Sequence, residues 1–341
     1  MKKKRDAIAE FWAWWPSVEK AIAAGFSKKK SDGGGLSPEL VRDVSSHVTA
    51  IHEELQWEFG PGRKADHHLA VTAHGDPELR VVAERWLHHA PKSSARWEFH
   101  ASRQANPRPS LVMEMDDKRV PFDELLFVAN VDDQRERVDL VAYHPAFAKT
   151  KKPKTNINVV FVALDNLLGE DDVERFLGSL EVVKKKPREP SISYLELEKL
   201  VAKLAKKATG EKWALLEGTT KSGKPLFGLI NQALKRIDHP LLDSHVTITI
   251  RFDALDERGL PSPEDNKRLE AVEEDLLDSL GDGAANLGHE TLEGRRVIHL
   301  HVMEGGPAAQ LLASWQKRHR TWRIEIEHEH DPAWSALHRF D

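Results

Sequence analysis

The chain has 341 residues, 40% hydrophobic and 31% charged, an ordinary globular mixture with room for two or three cores. It contains no cysteine, which excludes disulfides, thiolate metal sites and cysteine nucleophiles. Its formal net charge of −5 is uneven: residues 239–341 carry 20 Asp/Glu against 11 Lys/Arg, whereas 1–238 carry 35 against 39, and the acidic end argues against a reader of nucleic-acid phosphates.

No apolar run approaches the ~20 residues needed to span a bilayer. The opening Met1-Lys2-Lys3-Lys4-Arg5 is basic, but no signal-peptide core follows it, so a cytoplasmic protein is expected. Ile8, Phe11, Trp12 and Trp15 fall at helical spacing and predict a helix over 6–15 with a core-facing stripe. Pro16 is placed at the first turn of a second helix, where its missing N–H costs nothing, ending near Gly25. Residues 28–35 are a polar connector. Ser37-Pro38-Glu39 opens the next helix, with Ser37 as N-cap. Strands follow over 55–59 and 68–74, then a helix over 77–89 and a strand over 95–101.

From 110 to 185 the pattern predicts short β-rich runs at 125–131, 138–143 and 157–164, a short helix at 171–177 and a strand at 180–183. Pro187 to Pro190 marks a boundary. Residues 193–207 form an amphipathic helix, and 213–216 with 225–230 read as a hairpin turning at Ser222-Gly223. After His239-Pro240 comes a strand over 245–252, in which Val246, Ile248, Ile250 and Phe252 alternate with His245, Thr247, Thr249 and Arg251. A helix over 263–280, strands over 286–291 and 297–302 turning at Glu293-Gly294, a helix over 308–317 and a strand over 321–328 complete the unit. A short terminal helix starts at Asp331.

Strand, helix, strand, strand, helix, strand is the ferredoxin-like split βαβ order. Part of it occurs earlier. Ser37-Pro38-Glu39 matches Ser262-Pro263-Glu264, His68 to Val71 matches His299 to Val302, and Gly75, Pro77 and Trp86 match Gly306, Pro307 and Trp315. The expectation is an α+β protein of two ferredoxin-like units with an intervening β-rich region. Its segments are an N-terminal α+β unit (1–105), the β-rich middle (106–190), a helix and hairpin connector (191–238) and the C-terminal domain (239–341).

Gly218 to Lys224 has the spacing of a phosphate-binding loop, but Pro225 stands where magnesium would need Ser or Thr, so the segment reads as a hairpin turn. No HExxH, GxSxG or dinucleotide GxGxxG pattern occurs. Asp116-Asp117 and Asp132-Asp133 read as turns, and His144-Pro145 as a strand-ending turn.

The densest polar constellation lies on the sheet face away from the C-terminal helices. By parity His299 and His301 share it with His245, Arg251, Glu325 and Glu327, and with Glu329. Three uses are open: a solvated or interdomain surface, a protein-binding face, or a metal or acid–base site, since His and carboxylate suit zinc and His suits proton transfer. The leading reading is a non-enzymatic protein-binding or regulatory module without cofactor, whose partner presents a basic surface. The rival is a metal-assisted hydrolase using His299, His301 and a nearby carboxylate.

Gly259-Leu260-Pro261, Glu273, Glu274 and Leu276 on the acidic helix, Thr291 with Gly294-Arg295, and Asp331-Pro332-Ala333-Trp334 with Phe340 resemble an uncharacterised bacterial domain family of unknown function over about 240–341. That family is similar in layout to the regulator of ribonuclease E activity, type B, an acidic ferredoxin-like inhibitor, by analogy of fold and charge. The family pattern has aromatic residues in the third strand; this chain has Val297-Ile298-His299-Leu300-His301. The resemblance carries over no catalytic residue.

Overall fold

A computed structural model describes residues 6–27, 35–107, 110–115, 118–150, 153–253 and 258–337. Contacts divide the chain into two compact units, one of residues 1–130 and 138–202, the other of 131–137 and 203–341. Helices and strands are mixed, as expected for an α+β chain. Among the described residues no helix is long and apolar enough to cross a membrane.

The first unit opens with α1 (Ala7–Ser27), α2 (Pro38–Ile51), β1 (Gln56–Pro61), β2 (His67–Thr72), α3 (Pro77–His88) and β3 (Trp97–His100). The two helices expected around Pro16 are one: α1 runs through the proline. An interior proline costs about 3 kcal/mol by removing one helical hydrogen bond. Burial outweighs it, because Phe11, Trp15 and Ile22 are sealed in a core with Val44, Val48, Trp86 and Trp97, and each side chain of this size contributes about 1.5–3 kcal/mol. Trp12 stacks on Trp86 at 4.8 Å and donates its indole N–H to the Trp86 carbonyl at 2.8 Å. Ser37 caps α2 as predicted, accepting from Leu40 N–H. Most of the connector after α1, residues 28–34, lies outside the described residues.

Between residues 106 and 205 lie β4 (Val112–Met115), β5 (Lys118–Pro121), β6 (Leu126–Asp132), β7 (Arg137–Tyr143), α4 (Pro153–Leu168), α5 (Glu170–Phe176), β8 (Leu177–Val183), β9 (Ile192–Ser193) and α6 (Tyr194–Ala205). Four strands form a sheet in the order β8-β7-β6-β9. The strand expected over 157–164 is instead part of α4. Its apolar residues look continuous, but Val159, Val160, Ala163, Leu164 and Leu167 are buried at helical spacing while Ile157 and Phe161 stay exposed. The β4–β5 pair was not predicted; Asp116 and Asp117 lie outside the described residues. Asp132 makes the expected turn, accepting from the Gln134 and Arg135 amides. His144 ends β7 by accepting from Ala146 N–H.

The second unit contains β10 (Trp213–Thr219), β11 (Pro225–Asn231), β12 (Ser244–Arg251), α7 (Pro263–Leu280), β13 (Ala284–Leu292), β14 (Arg295–Val302), α8 (Ala308–Arg318) and β15 (Arg323–His330). All six strands pair antiparallel in the order β10-β11-β13-β14-β12-β15. The turn of the β10–β11 hairpin closes with Gly223 N–H on Thr220 O, so the stretch with phosphate-loop spacing is a hairpin turn. β13 and β14 join through Glu293 and Gly294, both at positive φ, as a tight two-residue hairpin requires. Val246, Ile248, Ile250, Ile298, Leu300 and Val302 form one face and pack beneath α7 and α8 with Leu269, Leu276, Leu312 and Trp315.

Trp86 and Trp315 are both fully buried in their cores. In the second unit β12 lies between β14 and β15; in the first, β2 and β3 pair directly and in parallel. The expected second four-stranded unit is thus, among the described residues, a sheet of three strands.

Candidate functional site

The open face of the second unit's sheet carries the site, and it is less open than parity suggests. His245 on β12 is 6% exposed, His299 on β14 2%, and His301 0%. They share a face because each points away from the alternating Val and Ile side chains of the helix-side core. Their cover is the segment after β15. Trp334 stacks on His301 with ring centres 4.2 Å apart, and its indole N–H donates to Leu242 O at 2.7 Å. The Asp331 carboxylate accepts from Ser335 N–H, Ser335 Oγ and Ala336 N–H, which winds this segment into a compact turn. Leu234, Ala285, Leu287 and Ala336 pack around Trp334 as a small second core.

Beside this cover a cleft of about 560 Å³ remains, lined by His245, Thr247 and Thr249 of β12, Arg295 and His299 of β14, Glu327 and Glu329 of β15, and also Glu290, Asp331 and Ser335. Within it a polar chain runs across the sheet: His245 Nε2 lies 3.2 Å from His299 Nδ1, and His299 Nε2 lies 3.3 Å from Glu290 Oε2. With Glu290 ionised, His299 carries its proton on Nε2 and accepts from His245 through Nδ1. Such a chain can pass a proton between the cleft and a carboxylate.

His301 sits apart from that chain. Its Nε2 is 3.4 Å from Asp331 Oδ2, and neither ring nitrogen makes a hydrogen bond of good geometry. Burial, with His245 adding to it, pulls its pKa down to about 4, so the ring is neutral near pH 7. Burial pushes the Asp331 carboxyl up, but donation from Ser335 and Ala336 outweighs it and holds the group below its ordinary range.

Of the predicted residues, His245, His299 and Glu327 line the cleft, and His301 is roofed by Trp334. Arg251 and Glu325 form a partly exposed ion pair, Nε to Oε1 3.2 Å, and are absent from the lining. This pairing draws the Glu325 carboxyl below its ordinary range. His299 and His301 belong to no three-ligand cluster: among the described residues one group, Asp243, Glu304 and His330, holds its ligand atoms within 4.8 Å of one another.

Glu290 was missed for a definable reason. The β13–β14 register shifts between Asn286 and Gly288. Before this bulge the odd residues of β13 face His301; after it the even ones face His299. Strict alternation would have put His289 on the cleft side, whereas His289 faces α7 and its Nδ1 lies 2.8 Å from Glu273 Oε1. The available signal was Gly288 itself, at φ +124 inside a strand.

Residues 212–340 match the model of a family of unknown function (DUF695). The match extends the resemblance expected over 240–341 back to the β10–β11 hairpin and takes in the whole cleft. No curated protein and no solved structure matches the chain.

Proposed function

We propose that the C-terminal unit is a protein-binding module whose cleft receives a basic segment of its partner. One observation carries this: Glu290, Glu327, Glu329 and Asp331 line the cleft against a single guanidinium, that of Arg295. Four carboxylates around a half-enclosed volume favour a cation and discourage phosphate. The test is titration of the full chain with a lysine-rich and a glutamate-rich peptide at low and high salt. Selective binding of the lysine peptide, weakened by salt and lost in Glu327→Lys with Glu329→Lys, is expected. Equal binding of both peptides would reject the reading.

A hydrolase at the same cleft is the second reading, favoured by the chain from His245 through His299 to Glu290. A screen with ester and phosphoester substrates tests it, with metal content measured in parallel; turnover that survives His299→Ala would count against it.

We also propose that the βαββαβ order of the second unit makes it ferredoxin-like, and that the first unit is a related copy lacking the strand equivalent to β12. The strand order β13-β14-β12-β15 and the matched Trp86 and Trp315 support this. The setting we propose remains the cytoplasm.

A further inference from the structure

We propose that the partner binds as an extended basic strand added to the outer edge of β15, with alternate side chains entering two cavities on either side of that strand. The inference rests on the cationic-cleft reading and specifies how the cation is delivered.

β15 ends the sheet, with β12 on one side and no strand paired on the other among the described residues. Main-chain groups of successive strand residues point to opposite sides. Two contacts fix which are which. Asp331 N–H donates to Asp243 O, continuing the ladder towards β12 through the odd-numbered residues. The Ile324 carbonyl accepts from the Gln316 side chain on α8, which puts the even-numbered residues on the outer side. Gln316 occupies the edge at Ile324; beyond it, Ile326 and His328 direct their N–H and C=O outward. His328 is exposed and Ile326 half-buried, so a second strand can reach both.

The flanks suit alternating side chains. Glu327 and Glu329 line the cleft on one face of β15. A smaller cavity of about 150 Å³, bordered by His328 and by Val302, Gly305 and Ala309 on the helix side of the sheet, takes in Glu304 and Glu329 as well. An added strand would turn every second side chain to the glutamates and the intervening ones, small in size, to this cavity. Main-chain bonds supply affinity and alternate pockets supply selectivity in such augmentation. Charge chooses the occupant. A second β15 laid alongside would set two glutamate rows against each other, so a copy of this chain is disfavoured and a basic strand is the complement.

The test uses the full chain and a capped alternating Lys-Thr peptide of about nine residues. Two isomers are compared with it, each N-methylated along one edge only. Methylation of the edge that meets β15 is expected to weaken binding at least about tenfold, and methylation of the other edge to leave it unchanged. Hydrogen exchange at Ile326 and His328 should slow on binding of the parent peptide. His328→Pro, which removes an outward N–H and leaves the β12 ladder intact, should weaken binding similarly, with folding checked by circular dichroism. If both isomers bind like the parent, strand addition is overturned while the acidic cleft stands. If no lysine peptide binds, the cationic-cleft reading falls, and this one with it.

Discussion

Substituting His301→Leu tests the buried face directly. The imidazole is fully buried with its pKa lowered from 6.5 to about 4. The sign follows from linkage. Between those values the unfolded chain takes up a proton that the folded chain refuses, so stability falls as pH drops from 6.5 towards 4 and stops falling below. The difference amounts to about 2 kcal/mol at pH 5 and about 3 kcal/mol at pH 4. Asp331 works in a separate window: its lowered carboxyl keeps its contribution until the pH falls through and below its ordinary value of 3.8. Leucine has a volume close to that of histidine, so the cavity cost is small, and any constant offset leaves the slope untouched. Urea unfolding of both full-length proteins from about pH 7.5 to about pH 4.5 measures it. Subtracting the curves cancels His100, His144 and His239, whose pKa values burial also lowers. The variant should gain on the wild type by about 2 kcal/mol on going to pH 5. Parallel curves would refute the claim that His301 is buried and neutral.

Other substitutions probe separate parts of the argument. Gly288→Ala should destabilise the second unit by more than about 2 kcal/mol in denaturant unfolding, because φ is +124 and a Cβ there would lie 2.0 Å from the Leu229 carbonyl oxygen. Trp334→Ala should cost about 3–5 kcal/mol and raise the His301 pKa towards 6.5 in an NMR titration, since it removes the roof of that ring. Glu98 is buried, yet the Arg63, Lys64 and Ala65 amides outweigh that burial and hold its carboxyl down at about 2. Glu98→Gln should therefore lower the melting temperature above about pH 4.5, and the difference should close as the pH falls towards 2. Arg251→Ala should leave the melting temperature unchanged, because its ion pair with Glu325 is half-exposed.

Much of the second unit was legible because β12, β14 and β15 alternate and α7 carries its cap. Ser262 and Pro263 open α7 where predicted, with Ser262 Oγ accepting from Asp265 N–H. Parity correctly placed His245, His299, His301 and Glu327 on one face. It could not show that the face is roofed, because the roof is Trp334, thirty-odd positions away in sequence, held at φ +53 by a turn around Asp331. Nor could it find Glu290, whose side is set by a one-residue bulge. In the first unit the errors came from apolar density. α1 crosses Pro16 because its aromatic face is sealed, and α4 looks continuous until burial is resolved by turn. Local rules describe each element alone; tertiary burial decided these two.

The place of β12 has a kinetic consequence. The first strand of the βαββαβ segment is central in the finished sheet, bonded to β14 and to β15. β14 arrives only after α7 and β13, and β15 only after two helices and two further strands, while the β10–β11 hairpin waits for β13 across β12 and α7. Three of the five strand pairings in this unit therefore close large loops, β10–β11 and β13–β14 being local hairpins. Such a topology folds slowly for its size and leaves the β12 edges bare for much of that time. The hydrophobic alternation of β12 makes that interval the unit's moment of greatest exposure to mispairing, and the pairing of β15 ends it.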